Sequence, residues 1–328
     1  MNAELLWGLP VIGYLFLAGV GAGALTVSAS VLLRGGGGGF AGQHYSIARY
    51  GAFAAPLPLM IGCGLLIFEL GSFEAGNWFK WINLYKTINL SPMSIGTWLL
   101  TGFIGISLLY AYTFLPKSPG LGGNKDSLRR GLAWVSVPLG IATAVYTGVL
   151  LGAMPARPFW NSPILAMLFL VSSLSTGVAI ILLLKAVFPG KAKDEARTPM
   201  VAEYFKQRDN SAYILTASDL MLIGFELLVI FLFIMYAHLT VGAVKESVSV
   251  IQFGGSLSVL FWFGVVVVGL LIPAVIELYY VIPKLLNHQP FSVPLGVEII
   301  VPIAILIGGF LLRYVIVVAG QITGPIGL

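Results

Sequence analysis

The chain has 328 residues, of which 58% are hydrophobic and only 9% charged, and its formal net charge is +5. A soluble domain of this length is excluded, because its surface would need many more polar and charged residues. All basic residues but Arg313 lie in loops or near the ends of the apolar stretches, which indicates contact with the headgroups of a lipid bilayer and argues against nucleic acid as a partner.

Eight apolar stretches follow one another along the chain, and each can cross a bilayer as one helix. About 20 residues at a rise of 1.5 Å cover the hydrocarbon core of about 30 Å. We therefore predict an all-α integral membrane protein with eight transmembrane helices in two four-helix bundles. The first helix should be retained, because no basic segment precedes it. The predicted spans are residues 9–33, 49–70, 93–115, 132–154, 164–187, 219–237, 257–280 and 297–318.

Most loops between the spans are short, and residues 188–218 form the long exception. This segment mixes charged residues with a few apolar ones, so it is either a helix on the inner membrane surface or a solvated linker. It divides the chain into residues 1–187, which hold helices 1–5 with the first bundle and the outer loops of the candidate site, and residues 219–328, in which helices 6–8 complete the second bundle.

The distribution of basic residues predicts the orientation of the chain. Loops 1, 3, 5 and 7 hold 13 Lys and Arg residues, whereas both termini and loops 2, 4 and 6 together hold 4. Because cytoplasmic loops carry the excess of Lys and Arg, both termini and the even loops should lie outside.

Cysteine and histidine are too few for most redox cofactors. The one cysteine, Cys63, lies inside an apolar stretch, so the chain can form no internal disulfide, no iron–sulfur site and no attachment site for c-type haem. Axial ligation of b-type haem usually needs paired histidines inside the bundle. His44, His238 and His288 lie in loops or at a helix end, so we expect no haem, no cluster and no metal in this chain.

Small residues mark the helices that should pack centrally. Gly19, Gly21 and Gly23 in the first helix allow close backbone approach in lipid, and so does the run SSLSTG in the fifth. A weak repeat supports two similar halves: helix 3 opens with SPMSIGTW and helix 7 with GSLSVLFW, and helices 4 and 8 both contain Val-Pro.

The outward loops combine aromatic and polar residues at one level of the membrane. An aromatic belt explains each aromatic residue singly. Glu69, Arg157 and Asn161 lie at the same level, however, and this combination favours a polar pocket. The aromatic residues are Trp78, Trp81, Tyr85, Trp98 and Trp160.

These segments resemble the NrfD family of membrane subunits, whose best known branch is the polysulfide reductase type. The resemblance rests on LLIFELG, NWFKWINLYKTINLSPMSIGTW, YTGVLLGAMPARPFWNSP, LFLVSSLSTG and the opening YLFLAGVGAGA. It covers essentially the whole chain and is strongest over residues 60–180.

The resemblance implies a haemless anchor in the cytoplasmic membrane that exchanges electrons and protons with a quinone, either menaquinone or ubiquinone. Its periplasmic face would dock an iron–sulfur subunit, which relays electrons to or from a large catalytic subunit, often a molybdopterin enzyme. Trp78, Trp81, Tyr85 and Lys86 of loop 2 are the expected docking residues.

The resemblance also suggests residues of the quinone site. Tyr146 matches a tyrosine of the fourth helix in the polysulfide reductase branch, and Tyr14 occupies the position where that branch has a histidine. Glu69 matches an acidic residue at the outer end of helix 2, where it could take quinol protons or simply pair with Arg157. From loop 4 we add Arg157, Trp160 and Asn161 as quinone-binding residues.

Ionisable residues inside the last three helices are the remaining candidates, since a charge in lipid is costly unless it is paired or hydrated. Asp219 and Glu226 lie on one helix face, and with Glu69 and Glu277 we assign them to proton transfer. A structural pairing with Arg313 or Lys284 explains them equally well. A secondary transporter that couples buried acids to ion movement is the alternative function, and a purely structural anchor is a third.

Overall fold

Eight long helices occupy the positions that the apolar stretches predict. The computed structural model describes residues 7–34, 45–70, 82, 85, 91–115, 125–188, 199–240, 242–287 and 293–324, with the backbone alone at 69, 70, 199–211, 284 and 287. Within this part of the chain there are eight helices long and apolar enough to span a membrane, and no strands. The prediction of an all-α, multi-pass membrane protein is therefore confirmed.

The membrane helices are named α1 to α8 in chain order, and two of them consist of two segments. Pro56 breaks the second helix after its first ten residues, and the seventh begins with a wide π-helical stretch. The bounds are α1 Leu9–Arg34, α2 Tyr45–Ala54 with Pro56–Leu70, α3 Pro92–Tyr112, α4 Lys125–Gly152, α5 Ile164–Val187, α6 Pro199–Leu239, α7 Leu260–Leu271 with Ile272–Asn287, and α8 Leu295–Ile322.

Helix α6 is much longer than the apolar stretch that predicts it. It has 41 residues and therefore a length of about 60 Å, twice the thickness of a hydrocarbon core. The described part of the long inner segment, residues 199–218, is thus continuous with α6, and is neither a linker nor a separate helix. The reason is local: Pro199 fits the first position of a helix, and no Gly or Pro follows before Gly224.

Helices α1 and α5 are the centre of the structure. In their most apolar windows 72% and 61% of the residues are buried, against at most 44% in any other span of the described chain. Helix α1 packs against α2, α4 and α5, and α5 also packs against α6 and α8. The predicted central position of the two helices with small residues is confirmed, while the division into two four-helix bundles stays a prediction.

Glycines at the contact between α1 and α5 allow the two backbones to touch. A Cβ on Gly23 would collide with the carbonyl group of Ser173, and a Cβ on Gly177 would collide with the backbone of Gly23 and Ala24. Because lipid tails are as apolar as the side chains, such close packing is a main source of helix association in a membrane.

We expect Gly177→Ala to destabilise the protein by about 1–3 kcal/mol, the usual effect of overpacking a close contact. The measurement is the thermal denaturation midpoint of the purified protein in detergent. Gly224→Ala on α6 is the matched control, because no heavy atom lies within 4 Å of the added Cβ. Equal midpoints for the two variants would show that α1 and α5 can move apart without loss of stability.

Candidate functional site

A buried tyrosine without a hydrogen-bond partner identifies the candidate site. Tyr14 of α1 is 1% exposed, and its hydroxyl has no partner among the described residues. Leaving such a group unsatisfied costs about 1–3 kcal/mol. Its interacting neighbours are Tyr146 of α4 and Cys63 of α2. Three helices therefore bring two phenols and a thiol to one place.

Glycines of α2 and α3 make room for these side chains. A Cβ on Gly62 would lie 3.3 Å from the carbonyl oxygen of Tyr14, so α2 packs directly on the backbone of α1 beside the tyrosine. A Cβ on Gly96 would overlap the hydroxyl of Tyr146, which therefore occupies the notch that this glycine leaves in α3. From the sequence, Gly96 is recognisable only as part of the SPMSIGTW motif, and Cys63 only as a residue of an apolar stretch without a role at the site.

Loop 2 is described at only two positions, and one of them is a predicted docking residue. The Tyr85 hydroxyl lies 2.8 Å from Oγ1 of Thr101, and its ring meets the ring of Trp98 edge to face at 5.5 Å. Since α3 begins at Pro92, Tyr85 lies along the side of this helix, more than two turns from its start. The other predicted docking residues, Trp78, Trp81 and Lys86, lie outside the described residues.

Loop 4 contacts residues near both ends of the described chain. The indole Nε1 of Trp160 donates a hydrogen bond of 2.8 Å to the carbonyl of Ile316, and its ring stacks on Trp7 with centroids 5.2 Å apart. Nη1 of Arg157 donates to the carbonyls of Gln321 at 2.8 Å and of Gly320 at 3.4 Å. An arginine suits this place because the last carbonyls of α8 are the negative end of the helix dipole.

These contacts give two predicted quinone-binding residues a structural role. Arg157 and Trp160 were predicted as quinone-binding residues, and both donate to backbone carbonyls of α8. Asn161 is exposed in the same loop. Glu69 lies near the end of α2, but its side chain is outside the described set, so its pairing with Arg157 stays a prediction.

A second polar cluster lies inside α5, α6, α7 and α8. Asp219, Glu226, Glu277 and Arg313 are all at most 3% exposed. The Arg313 guanidinium donates to Oγ of Ser172 at 2.9 Å, to the carbonyl of Gly309 at 2.8 Å and to Oγ of Ser173 at 3.2 Å.

Serines of α5 connect the charges. Ser172, which accepts a hydrogen bond from Arg313, also lies next to Glu226, so it stands between this acid and the arginine. Ser175 donates to Oδ1 of Asp219 at 2.9 Å, and Asp219 in turn interacts with Glu226 and Glu277. Arg313 and Glu226 also interact electrostatically, which is compatible with the interpretation of the acids as structural partners of Arg313, and this pairing stays a prediction. The α5 serines were predicted to be packing residues, although three serines within four positions of a membrane helix are also a polar signal.

Helix α1 connects the two clusters. A Cβ on Gly19 would lie 2.7 Å from Oγ of Ser173 and 2.8 Å from Nη2 of Arg313. Gly19 follows Tyr14 by five residues, or about 7.5 Å along the helix. The Arg313 guanidinium also lies 5.8 Å from the ring centroid of Phe16. In the described part of the chain, no three His, Cys, Asp or Glu side chains lie close enough to share a metal ion.

Comparison with known proteins gives a consistent result over the whole chain. The profile of the family described as "Polysulphide reductase, NrfD" matches residues 1–325. The chain is 30% identical over 325 residues to the C polypeptide of polysulfide reductase from Wolinella succinogenes, covering 96% of this chain and 94% of the relative. It is 27% identical to protein NrfD of Escherichia coli over 343 residues, covering 98% and 96%. It is also 26% identical over 224 residues to the C component of selenate reductase from Mesobacillus selenatarsenatis, covering 57% and 50%.

Proposed function

Because the chain belongs to the NrfD family, we propose that it is the membrane anchor of an oxidoreductase complex and exchanges electrons and protons with a quinone. Two of the relatives are named as single components of a polysulfide reductase and a selenate reductase, which supports the role of a subunit. The partners are an iron–sulfur subunit on the outer face and a large catalytic subunit of molybdopterin type.

The orientation that we propose follows the charge bias of 13 to 4 among the loops. In the cytoplasmic membrane it puts both termini, loop 2 and loop 4 on the periplasmic side, where the iron–sulfur subunit docks over Trp78, Trp81, Tyr85 and Lys86. A tag fused to the C-terminus should then be detected from the periplasm. Detection from the cytoplasm would reverse the orientation.

The observation that carries the quinone proposal is the buried, unpartnered hydroxyl of Tyr14 beside Tyr146. A bound menaquinone or ubiquinone would accept or release two electrons and two protons. The two phenols can donate hydrogen bonds to its carbonyl oxygens, and a carbonyl at Tyr14 would satisfy the orphaned hydroxyl. We assign Asn161 and Glu69 to the outer side of this slot, and Arg157 and Trp160, which bond loop 4 to α8, would fix the loop beside it.

Two routes for protons fit the positions of the acids. Glu69 would exchange protons at the outer end of α2. An inner route would run from Tyr14 past Gly19 to Ser173 and Arg313, and then to the acids. The acids of this route are Glu226, Asp219 and Glu277, and the α5 serines that contact them supply hydroxyls able to pass a proton.

We expect Asp219→Asn to reduce quinone-linked turnover by about 100-fold, as for loss of a positioned acid–base group. The amide keeps the size of the side chain and still accepts the hydrogen bond from Ser175, so the fold should persist. The measurement compares turnover with a short-chain quinone and turnover with a dye that bypasses the membrane subunit. Glu246→Gln, at an exposed acid of an outer loop, is the control. Unchanged quinone turnover in Asp219→Asn would remove this residue from the route.

One observation favours the alternative function, a secondary transporter. Oδ2 of Asp219 and Oε2 of Glu277 are buried and have no hydrogen-bond partner among the described residues, so a coupling ion could bind there. Transporters of this kind, however, commonly have inverted repeats, whereas the weak repeat of this chain is parallel.

Purification of the complex from membranes in mild detergent decides between the two functions. An anchor should copurify with an iron–sulfur subunit and contain extractable quinone, and the isolated chain should have no reduced-minus-oxidised haem band. A chain that is purified without redox partners and without quinone, and that moves an ion in liposomes, would establish the transporter instead.

A further inference from the structure

Cys63 is half-buried in α2 and is a neighbour of both site tyrosines. It follows Gly62, the residue through which α2 packs on the backbone of Tyr14. The Tyr14 hydroxyl is buried and has no hydrogen-bond partner in the described part of the chain, which is an independent sign that a ligand group belongs beside it. A thiol at this place cannot replace that ligand, because it is a weak donor and a weak acceptor.

We propose that Cys63 forms one wall of the quinone slot and contacts the ring of the bound quinone, an inference that rests on the proposed function. Tyr14 and Tyr146 supply the hydrogen bonds to the ring oxygens, and the small, polarisable sulfur packs against the ring or its substituents. A Cβ on the next residue, Gly64, would have no heavy atom within 4 Å, so α2 is open at this position. In the proposed arrangement, the tail of a lipid-soluble quinone would leave the slot on this open side of α2.

If bound quinone covers Cys63, the reactivity of this thiol reports whether the slot is occupied. The signal is specific, because Cys63 is the one cysteine of the chain. Methyl methanethiosulfonate is a small, neutral reagent that enters apolar sites. It transfers its methylthio group to the thiol, which forms a disulfide and releases methanesulfinic acid. The peptide containing Cys63 then reports the extent of reaction by its mass, independently of any activity and of the cysteines in partner subunits.

The experiment treats the intact complex with the reagent in the presence or absence of a short-chain ubiquinone or menaquinone. The rings of both quinones are fully substituted, so neither adds to the thiol itself. At ten times its dissociation constant, the quinone that the site prefers should slow labelling about 10-fold, since only the unoccupied fraction reacts. Labelled complex should lose quinone-linked turnover and keep its activity with the bypass dye, whereas the treatment should change neither activity of a Cys63→Ser complex relative to the same variant without treatment.

Two results would overturn the inference. Labelling at the same rate with and without either quinone would mean that Cys63 faces lipid outside the slot. No labelling in the complex, with full labelling after denaturation, would mean that the thiol is enclosed by packing. The proposed function fails separately, namely if no quinone is extracted and Tyr146→Phe keeps full quinone turnover, so the two failures are distinguishable.

Discussion

A Tyr146→Phe complex is expected to assemble normally and to lose most of its quinone-linked turnover. The variant keeps the ring, whose edge lies in the notch at Gly96 together with the hydroxyl, and removes only the hydroxyl. Loss of one hydrogen bond to a carbonyl that gains charge on reduction costs about 1–3 kcal/mol, which is about 5- to 150-fold in rate. The measurement is turnover with a short-chain quinone, compared with turnover with a dye that bypasses this subunit.

Tyr110→Phe is the matched control for this experiment. Tyr110 is also buried, but it lies near the opposite end of α3, with its hydroxyl 3.2 Å from that of Ser28. The control should therefore affect stability and leave quinone turnover unchanged. Equal turnover in Tyr146→Phe and the wild type would remove Tyr146 from the mechanism, and loss of assembly would assign it to packing.

A substitution of Tyr14 also distinguishes a role in catalysis from a role in packing, because here the stability should not fall. Because its hydroxyl has no partner in the described chain, Tyr14→Phe removes a buried unsatisfied group and should leave stability unchanged or raise it. A decrease in quinone turnover together with undiminished stability would mean that the hydroxyl is kept for a ligand.

Local sequence predicts the fold well, because the length and apolarity of a membrane helix are properties of one stretch. It fails at α6, where residues 199–218 mix charged and apolar residues and are helical nonetheless. The helix there begins at Pro199 and continues into the apolar span without a helix-breaking residue, a feature that hydropathy does not detect. The two central helices were predictable too, because glycines such as Gly23 and Gly177 allow close backbone contact. A side chain at either position would collide with the facing helix.

The candidate site was only partly predictable. Tyr14 and Tyr146 were proposed through a resemblance, because no spacing rule brings α1 and α4 together. The partners of Arg157 and Trp160 are backbone carbonyls of α8, and a carbonyl has no sequence signature. Cys63 was not assigned to the site, because its place in an apolar stretch does not identify which neighbours a thiol has.

The buried arginine gives the largest expected effect on stability. Arg313→Met keeps much of the volume, but it leaves Glu226 without its counter-charge and removes three hydrogen bonds to Ser172, Ser173 and the carbonyl of Gly309. Breaking a buried charge pair by removing one partner typically costs about 3–5 kcal/mol. We expect little assembled complex and a clearly lower denaturation midpoint for whatever assembles.

A second substitution separates the two causes of this loss. If the uncompensated acid dominates, Arg313→Met with Glu226→Gln should recover much of the stability, because a neutral amide is less costly to bury than a carboxylate. If the bonds to α5 dominate, the double variant should be no better than the single one. Arg49→Met, at an exposed arginine of α2, is the control and should change little. A wild-type midpoint in Arg313→Met would mean that this charge does not hold α8 against α5, and the inner route past Arg313 would then lose its structural support.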